Sequence, residues 1–90
     1  MDYTDFPTST IRARVYVDVA TEIDRAYKKH GSLQWGRHEF YGILKEEIDE
    51  IWDDIKLDAP QVEVEKEIIQ VMAVCLRYLE TRDRYREPKA

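Results

Sequence analysis

The sequence predicts an all-α fold with three main helices. The second and third are expected to form an antiparallel pair, in a chain short enough that dimerisation or higher assembly is expected. Three observations predict this. Apolar residues recur at three- and four-residue spacing through three long segments, with no strand-like alternation between them. Gly31, Gly36 and Pro60 punctuate those segments. With 90 residues there is one domain at most, 1–90, and too little chain to bury a large core alone.

The first helix is expected from about Ser9 to His30. Ile11, Val15, Val19, Ile23 and Tyr27 recur every four residues, with Ala20 and Ala26 beside them. Thr8 and Ser9 are its candidate caps, Gly31 its terminator, and His30 a cation suited to the C-terminal dipole. Arg12, Asp18, Glu22, Arg25 and Lys29 read as its solvated face. The loop Gly31 to Gly36 is pinned by Leu33 and Trp35. The second helix is expected from Arg37 to Leu57, where Asp58, Ala59 and Pro60 break it. Asp58 and Gln61 have the spacing of a capping box for the third helix, expected from about Ala59 to Tyr85. So short a connection makes helices two and three antiparallel neighbours. Residues 1–8 and 86–90 are read as flexible ends.

Composition excludes several classes. The chain is 43% apolar, which is too much for disorder. Its net charge of −5 disfavours a nucleic-acid binder, which needs a basic surface to neutralise phosphates. No apolar run approaches a membrane span, so no membrane partner is expected. The N-terminus lacks a signal-peptide core and Cys75 has no partner for an internal disulfide, which makes the cytoplasm the expected location. No Gly-rich phosphate loop is present.

Helix two carries Glu46, Glu47, Asp49, Glu50, Asp53 and Asp54, six acids in nine residues. Like charges at helical spacing cost ~0.2–0.5 kcal/mol per pair, so this run costs about 1–3 kcal/mol. At about 100° per residue, Glu47 and Asp54 fall inside the apolar arc of Phe40, Ile43, Leu44, Ile48, Ile51 and Ile55. Glu50 lies at its edge, while Glu46, Asp49 and Asp53 point outward. Helix three repeats the pattern. Glu67 falls inside the arc of Val64, Ile68, Val71, Val74, Cys75, Tyr78 and Leu79, with Glu63 and Gln70 at its edge. A carboxylate facing a packed interior must be protonated, paired with a base, or bound to a metal. Lys66 and Arg77 face away on this wheel, which leaves Arg12, Arg14 or Arg25 of helix one as possible bases. Metal binding by Glu47, Glu50, Glu67 and Gln70 is the preferred reading. An all-oxygen set favours Mg²⁺ or Mn²⁺ over zinc.

The run Glu46-Glu47-Ile48-Asp49-Glu50, followed on the next helix by Glu67-Ile68-Ile69-Gln70, resembles the MazG-like members of the all-alpha nucleoside triphosphate pyrophosphohydrolases. Their pattern is EExxE, then ExxD. The stretch from His30 to Glu80 is similar to their compact phage-type and bacterial branch, through His38-Glu39, Tyr41-Gly42, Leu44, Glu46 to Asp53 and Glu67 to Glu80. The resemblance implies metal ligands at Glu47, Glu50 and Glu67. It implies hydrolysis of (deoxy)nucleoside triphosphates to the monophosphate and pyrophosphate, and a homodimer or homotetramer in which the antiparallel helix pair completes a four-helix-type bundle through homo-oligomerisation. The family aspartate is replaced by Gln70, whose amide oxygen can ligate but brings no charge.

On this reading a metal-bound water attacks the α-phosphorus, and Glu46 or Glu50 accepts its proton. Lys29 and Arg37 are candidates for the β/γ-phosphates. Trp35 is a candidate for base stacking as well as loop anchoring, His38 for substrate contact, and Tyr78 for lining the pocket. Trp52 is read as a packing or subunit-interface residue, and Cys75 and Met72 as core. Two alternatives stand beside hydrolysis: a helical adaptor that keeps the nucleotide or metal but has lost turnover through Gln70, and a purely structural helical dimer.

Overall fold

A computed structural model describes the backbone of residues 8–31 and 35–86 and the side chains of residues 9–31 and 35–80. The Leu33 anchor, the Thr8 cap and most of the two ends lie outside these. Three helices follow in order: α1 Thr8–His30, α2 Arg37–Lys56 and α3 Gln61–Arg86. Among the described residues there is no strand.

Local chemistry explains the boundaries. Gly31 takes a φ of 72°, the left-handed conformation that ends a helix, and its amide donates to the Tyr27 carbonyl at 2.8 Å. Ser9 lies inside the first turn of α1, so it does not cap it. At the start of α2, the Gly36 amide donates to Glu39 Oε1 at 3.4 Å.

The α2–α3 turn corrects one expectation. Asp58 does not cap α3. It is the residue that closes α2, with a φ of 54°. The Asp58 amide donates to the Ile55 carbonyl at 3.2 Å and the Ala59 amide to the Asp54 carbonyl at 2.9 Å. That pair of bonds is a Schellman closure, built here on an aspartate where glycine is usual. Helix α3 starts at Gln61 rather than Ala59, because a residue before proline is pushed out of the helical region.

Helix α3 is the centre of the molecule, packed on α2 along one side and on α1 along another. The buried core is small: Val19, Ile23 and Ala26 from α1, and Ala73 and Val74 from α3. Val15, Tyr27 and Ile69 pack against it. Helix α2 contributes no buried residue, only a half-buried face that includes Phe40, Ile43, Leu44, Glu47, Ile51 and Asp54.

The apolar arcs are wider than the faces this packing covers. On α2, Tyr41, Ile48, Trp52 and Ile55 are all about half exposed or more; on α3, Ile68, Met72, Leu76 and Leu79 are also exposed. Met72 is therefore not core, and neither Ile48 nor Ile68 faces inward. Both exposed stripes are rotated in the same sense from Glu47 and Glu67, by about 80–180°. In an antiparallel pair, that puts them on the same side of the hairpin. The radius of gyration is 15.9 Å, against about 12 Å for a compact chain of this length. No described helix is long and apolar enough to cross a membrane.

Candidate metal centre

Glu47 reaches the α2–α3 interface from the middle of α2, and Glu67 meets it from the second turn of α3. Glu50 stands one turn beyond Glu47. One carboxylate oxygen from each of the three can be chosen so that all lie within 4.8 Å of one another. Glu47 and Glu67 are half-buried and Glu50 is exposed, so the cluster has a dry side and a wet side.

Oε2 of Glu47 and Oε2 of Glu67 are buried and receive no hydrogen bond. Leaving a buried acceptor unsatisfied costs about 1–3 kcal/mol, and more when it is charged. The helix-one arginines do not relieve it. Arg25 pairs with Glu22 of its own helix, while Arg12 and Arg14 are exposed. Other ion pairs among the described residues include Lys45 with Asp49, Lys56 with Asp53 and Lys66 with Glu63, all on the surface.

The electrostatic consequence is a crowded set of acids. Burial, then hydrogen bonding and repulsion from Glu50 and the charge of Glu47, push the Glu67 carboxyl up to about 7. Burial and the Glu50 charge also push Glu47 above the usual carboxylate range. Without a cation, the cluster satisfies itself by holding a proton near neutral pH. A divalent ion would replace that proton and meet both orphaned oxygens.

Gln70, half-buried one turn along α3 from Glu67, borders the cleft that Glu47 also lines. This cleft has a volume of about 270 Å³, and Trp35 and Arg77 lie on its wall. A larger groove of about 620 Å³ lies between α1 and α3. Gln70, Glu22 and Arg25 line both, so the two adjoin at these side chains. Arg25 holds the Glu22 carboxylate below its ordinary range through a hydrogen bond.

The remaining expected site residues divide. Trp35 is half-buried, stands over the Arg77 guanidinium and borders the cleft. Glu46 is exposed and outside the three-acid cluster. Lys29, Arg37 and His38 are exposed, and none of them lines the cleft. Tyr78 stacks on Phe40, with centroids 4.1 Å apart and planes 15° from parallel, so it packs α3 on α2 rather than lining the cleft.

Two groups escaped the sequence reading. Arg77, expected to face away, is 7% exposed, with its guanidinium carbon 5.0 Å from the Tyr27 ring centre and 4.7 Å from that of Trp35. The wheel considered only the apolar arc, whereas α3 is wedged between two helices and its inward sector is wider. Glu22, assigned to a solvated face, instead lines both cavities. Only its spacing of three from Arg25 hinted at a fixed position.

No protein family, curated protein or solved structure matches this chain. The functional reading therefore rests on the chemistry of the site.

Proposed function

We propose that this chain is a metal-dependent hydrolase of the MazG-like type, converting (deoxy)nucleoside triphosphates to the monophosphate and pyrophosphate with Mg²⁺ or Mn²⁺. The observation that carries this reading is the pair of buried, donor-less oxygens of Glu47 and Glu67 set beside the solvent-facing Glu50. An all-oxygen set with two dry carboxylates and one wet one suits a hard divalent cation that keeps part of its water shell.

Glu47 and Glu67 hold the site from opposite helices, and Gln70 offers a neutral amide oxygen beside them. When bound, the ion would neutralise phosphate charge and lower the pKa of a water molecule. Glu50, the member of the trio open to solvent, is placed to accept that water's proton at its carboxylate. Glu46 is less suited, because it stands outside the cluster. Arg25, at the junction of the two cavities, is better placed to meet phosphate than Lys29 or Arg37.

The exposed apolar stripes of α2 and α3 support a homodimer, in which a second hairpin covers them and completes four helices. Homotetramers extend the same logic. A lone chain of this size with five buried apolar residues among those described has little core to hold it.

The test is a divalent-dependent screen against common and modified nucleoside triphosphates, with the products identified. Release of pyrophosphate and a monophosphate is the expected result; release of orthophosphate alone, or no turnover with either metal, rejects the reading. A second reading, a nucleotide- or metal-binding adaptor, is favoured by Gln70, which brings one charge fewer than an aspartate. Metal-dependent stabilisation without turnover would select it.

A further inference from the structure

The two acid-bearing helices are fastened at both ends, by the α2–α3 corner and by a pair of stacked rings. We propose that the Phe40–Tyr78 stack is a positioning element for the metal centre: it fixes the spacing of α2 from α3 at the acids, and so selects a small divalent cation over Ca²⁺. This deepens the metal-dependent reading and rests on it for the presence of a cation.

Helix α2 needs such a fastening. It contributes no buried residue. It packs on α3, while α1 lies along another side of α3 and gives α2 no comparable support. At the corner, the Asp58 and Ala59 amides donate to the Ile55 and Asp54 carbonyls and tie the helix end down. Toward the other end, Phe40 and Tyr78 are half-buried and lie face to face, with centroids 4.1 Å apart and planes 15° from parallel. Glu50 precedes Leu57 by seven residues and Glu47 follows Phe40 by seven, each about 10 Å along the axis of α2. The acids thus lie near the middle of the span between the two fastenings.

Charge puts a load on that span. Carboxylate oxygens of Glu47, Glu50 and Glu67 lie within 4.8 Å of one another. A helix held only at its corner would relieve their repulsion by swinging outward. Ile43, Leu44 and Ile51, also half-buried on α2, are aliphatic and pack without directional preference. Two flat rings in face contact define one separation and one orientation. Tyr78 stands eleven residues beyond Glu67, about 16 Å along α3, so it acts through the spacing of the helices and not by touching the acids.

Spacing decides which cation fits. Mg²⁺ takes its ligands at about 2.0–2.1 Å in a near-octahedral shell and tolerates little departure, whereas Ca²⁺ accepts about 2.3–2.6 Å in a flexible one. Loosening the stack should therefore penalise the small ion and spare the large one.

The experiment reads metal binding alone. Free Mn²⁺ is counted by electron paramagnetic resonance, with Mg²⁺ and Ca²⁺ measured as competitors, and helicity is checked by circular dichroism. Wild type should bind Mn²⁺ and Mg²⁺ in preference to Ca²⁺. In Tyr78→Leu and Phe40→Leu, which remove the stack from opposite helices, Mn²⁺ and Mg²⁺ affinity should fall roughly tenfold. Ca²⁺ affinity should fall at most about twofold. Tyr78→Phe keeps the rings and should keep the wild-type ratio. Val15→Ala, which weakens the α1–α3 core without touching α2, should lower the melting temperature and leave the ratio unchanged. The proposal is overturned if the ratio holds in a helical Leu variant, or if Val15→Ala shifts it as much. A wild type that binds none of the three ions overturns it together with the metal centre. A wild type that binds and hydrolyses while the ratio ignores the stack overturns this inference only. The expected shift in a protein without turnover supports the stack and rejects the hydrolase reading.

Discussion

Across the α2–α3 interface, Glu47 and Glu67 each bury one carboxylate oxygen that no donor reaches, and the two residues stand in a single cluster of acids. The interface thus stores repulsion, released by a proton or a cation. Glu67 has a folded-state pKa of about 7, raised from 4.5. A carboxyl raised on folding contributes stability that is fully present below its unfolded value and is lost as pH rises through the folded one. In chelator, stability should fall between about pH 4.5 and pH 7, by roughly 1–2 kcal/mol after allowance for solvent screening. For a domain this small that is on the order of 5–15 °C in melting temperature. Mg²⁺ or Mn²⁺ should restore it at pH 7.5, as thermal melts followed by circular dichroism will show.

Glu67→Gln separates the two ways of relieving the cluster. It removes a charge that destabilises the metal-free state, so in chelator at pH 8 the variant should melt at or above wild type. It should gain little from added metal, and turnover should fall at least about 100-fold, since even groups that only support a ligand cost 10–100-fold when removed. Glu47→Gln should behave alike. Normal turnover in either variant would refute the site.

Gln70→Asp restores a charge one turn from Glu67. Isothermal titration should show tighter metal binding, by roughly tenfold, because an anionic oxygen replaces a neutral one. The cost is an extra like-charge pair on α3, about 0.2–0.5 kcal/mol in the metal-free protein. An unchanged affinity would place Gln70 outside the coordination sphere.

Ile48→Glu, on the exposed stripe of α2, should convert a dimer into a monomer in light-scattering chromatography. Wild type should elute at twice the monomer mass or more, with a melting temperature that rises with concentration. A wild-type monomer with a concentration-independent melt would remove the case for a completed bundle.

Asp58 sits at a φ of 54°. Left-handed backbone costs an ordinary L-residue about 1–2 kcal/mol, less for aspartate and nothing for glycine. Asp58→Gly should therefore hold or raise stability, by up to about 1 kcal/mol. Asp58→Val should lower it by about 1–2 kcal/mol, measured by urea unfolding.

Much of this arrangement was legible in the sequence because helical periodicity fixes direction as well as secondary structure. Glu47 and Glu67 fall inside apolar arcs, and those arcs place them at one interface. Arg77 was not legible, because a wheel drawn for one neighbour misses the second neighbour of a central helix. Asp58 was misread because an aspartate three residues before a glutamine fits a cap and says nothing about the helix behind it. The outward orientation of Ile48 and Met72 was hidden for a related reason: hydrophobicity marks a face as apolar without saying what it packs against.

The Schellman closure at Leu57–Ala59 has a consequence for how the chain assembles. It joins the two acid-bearing helices through a tight corner, so every carboxylate of the cluster belongs to one hairpin of low contact order, and α1 supplies none of them. Such hairpins zip early. The cluster of three acids is thus complete as soon as that hairpin closes, and detachment of α1 would open the cleft beside Tyr27 and Trp35 while leaving the acids in register.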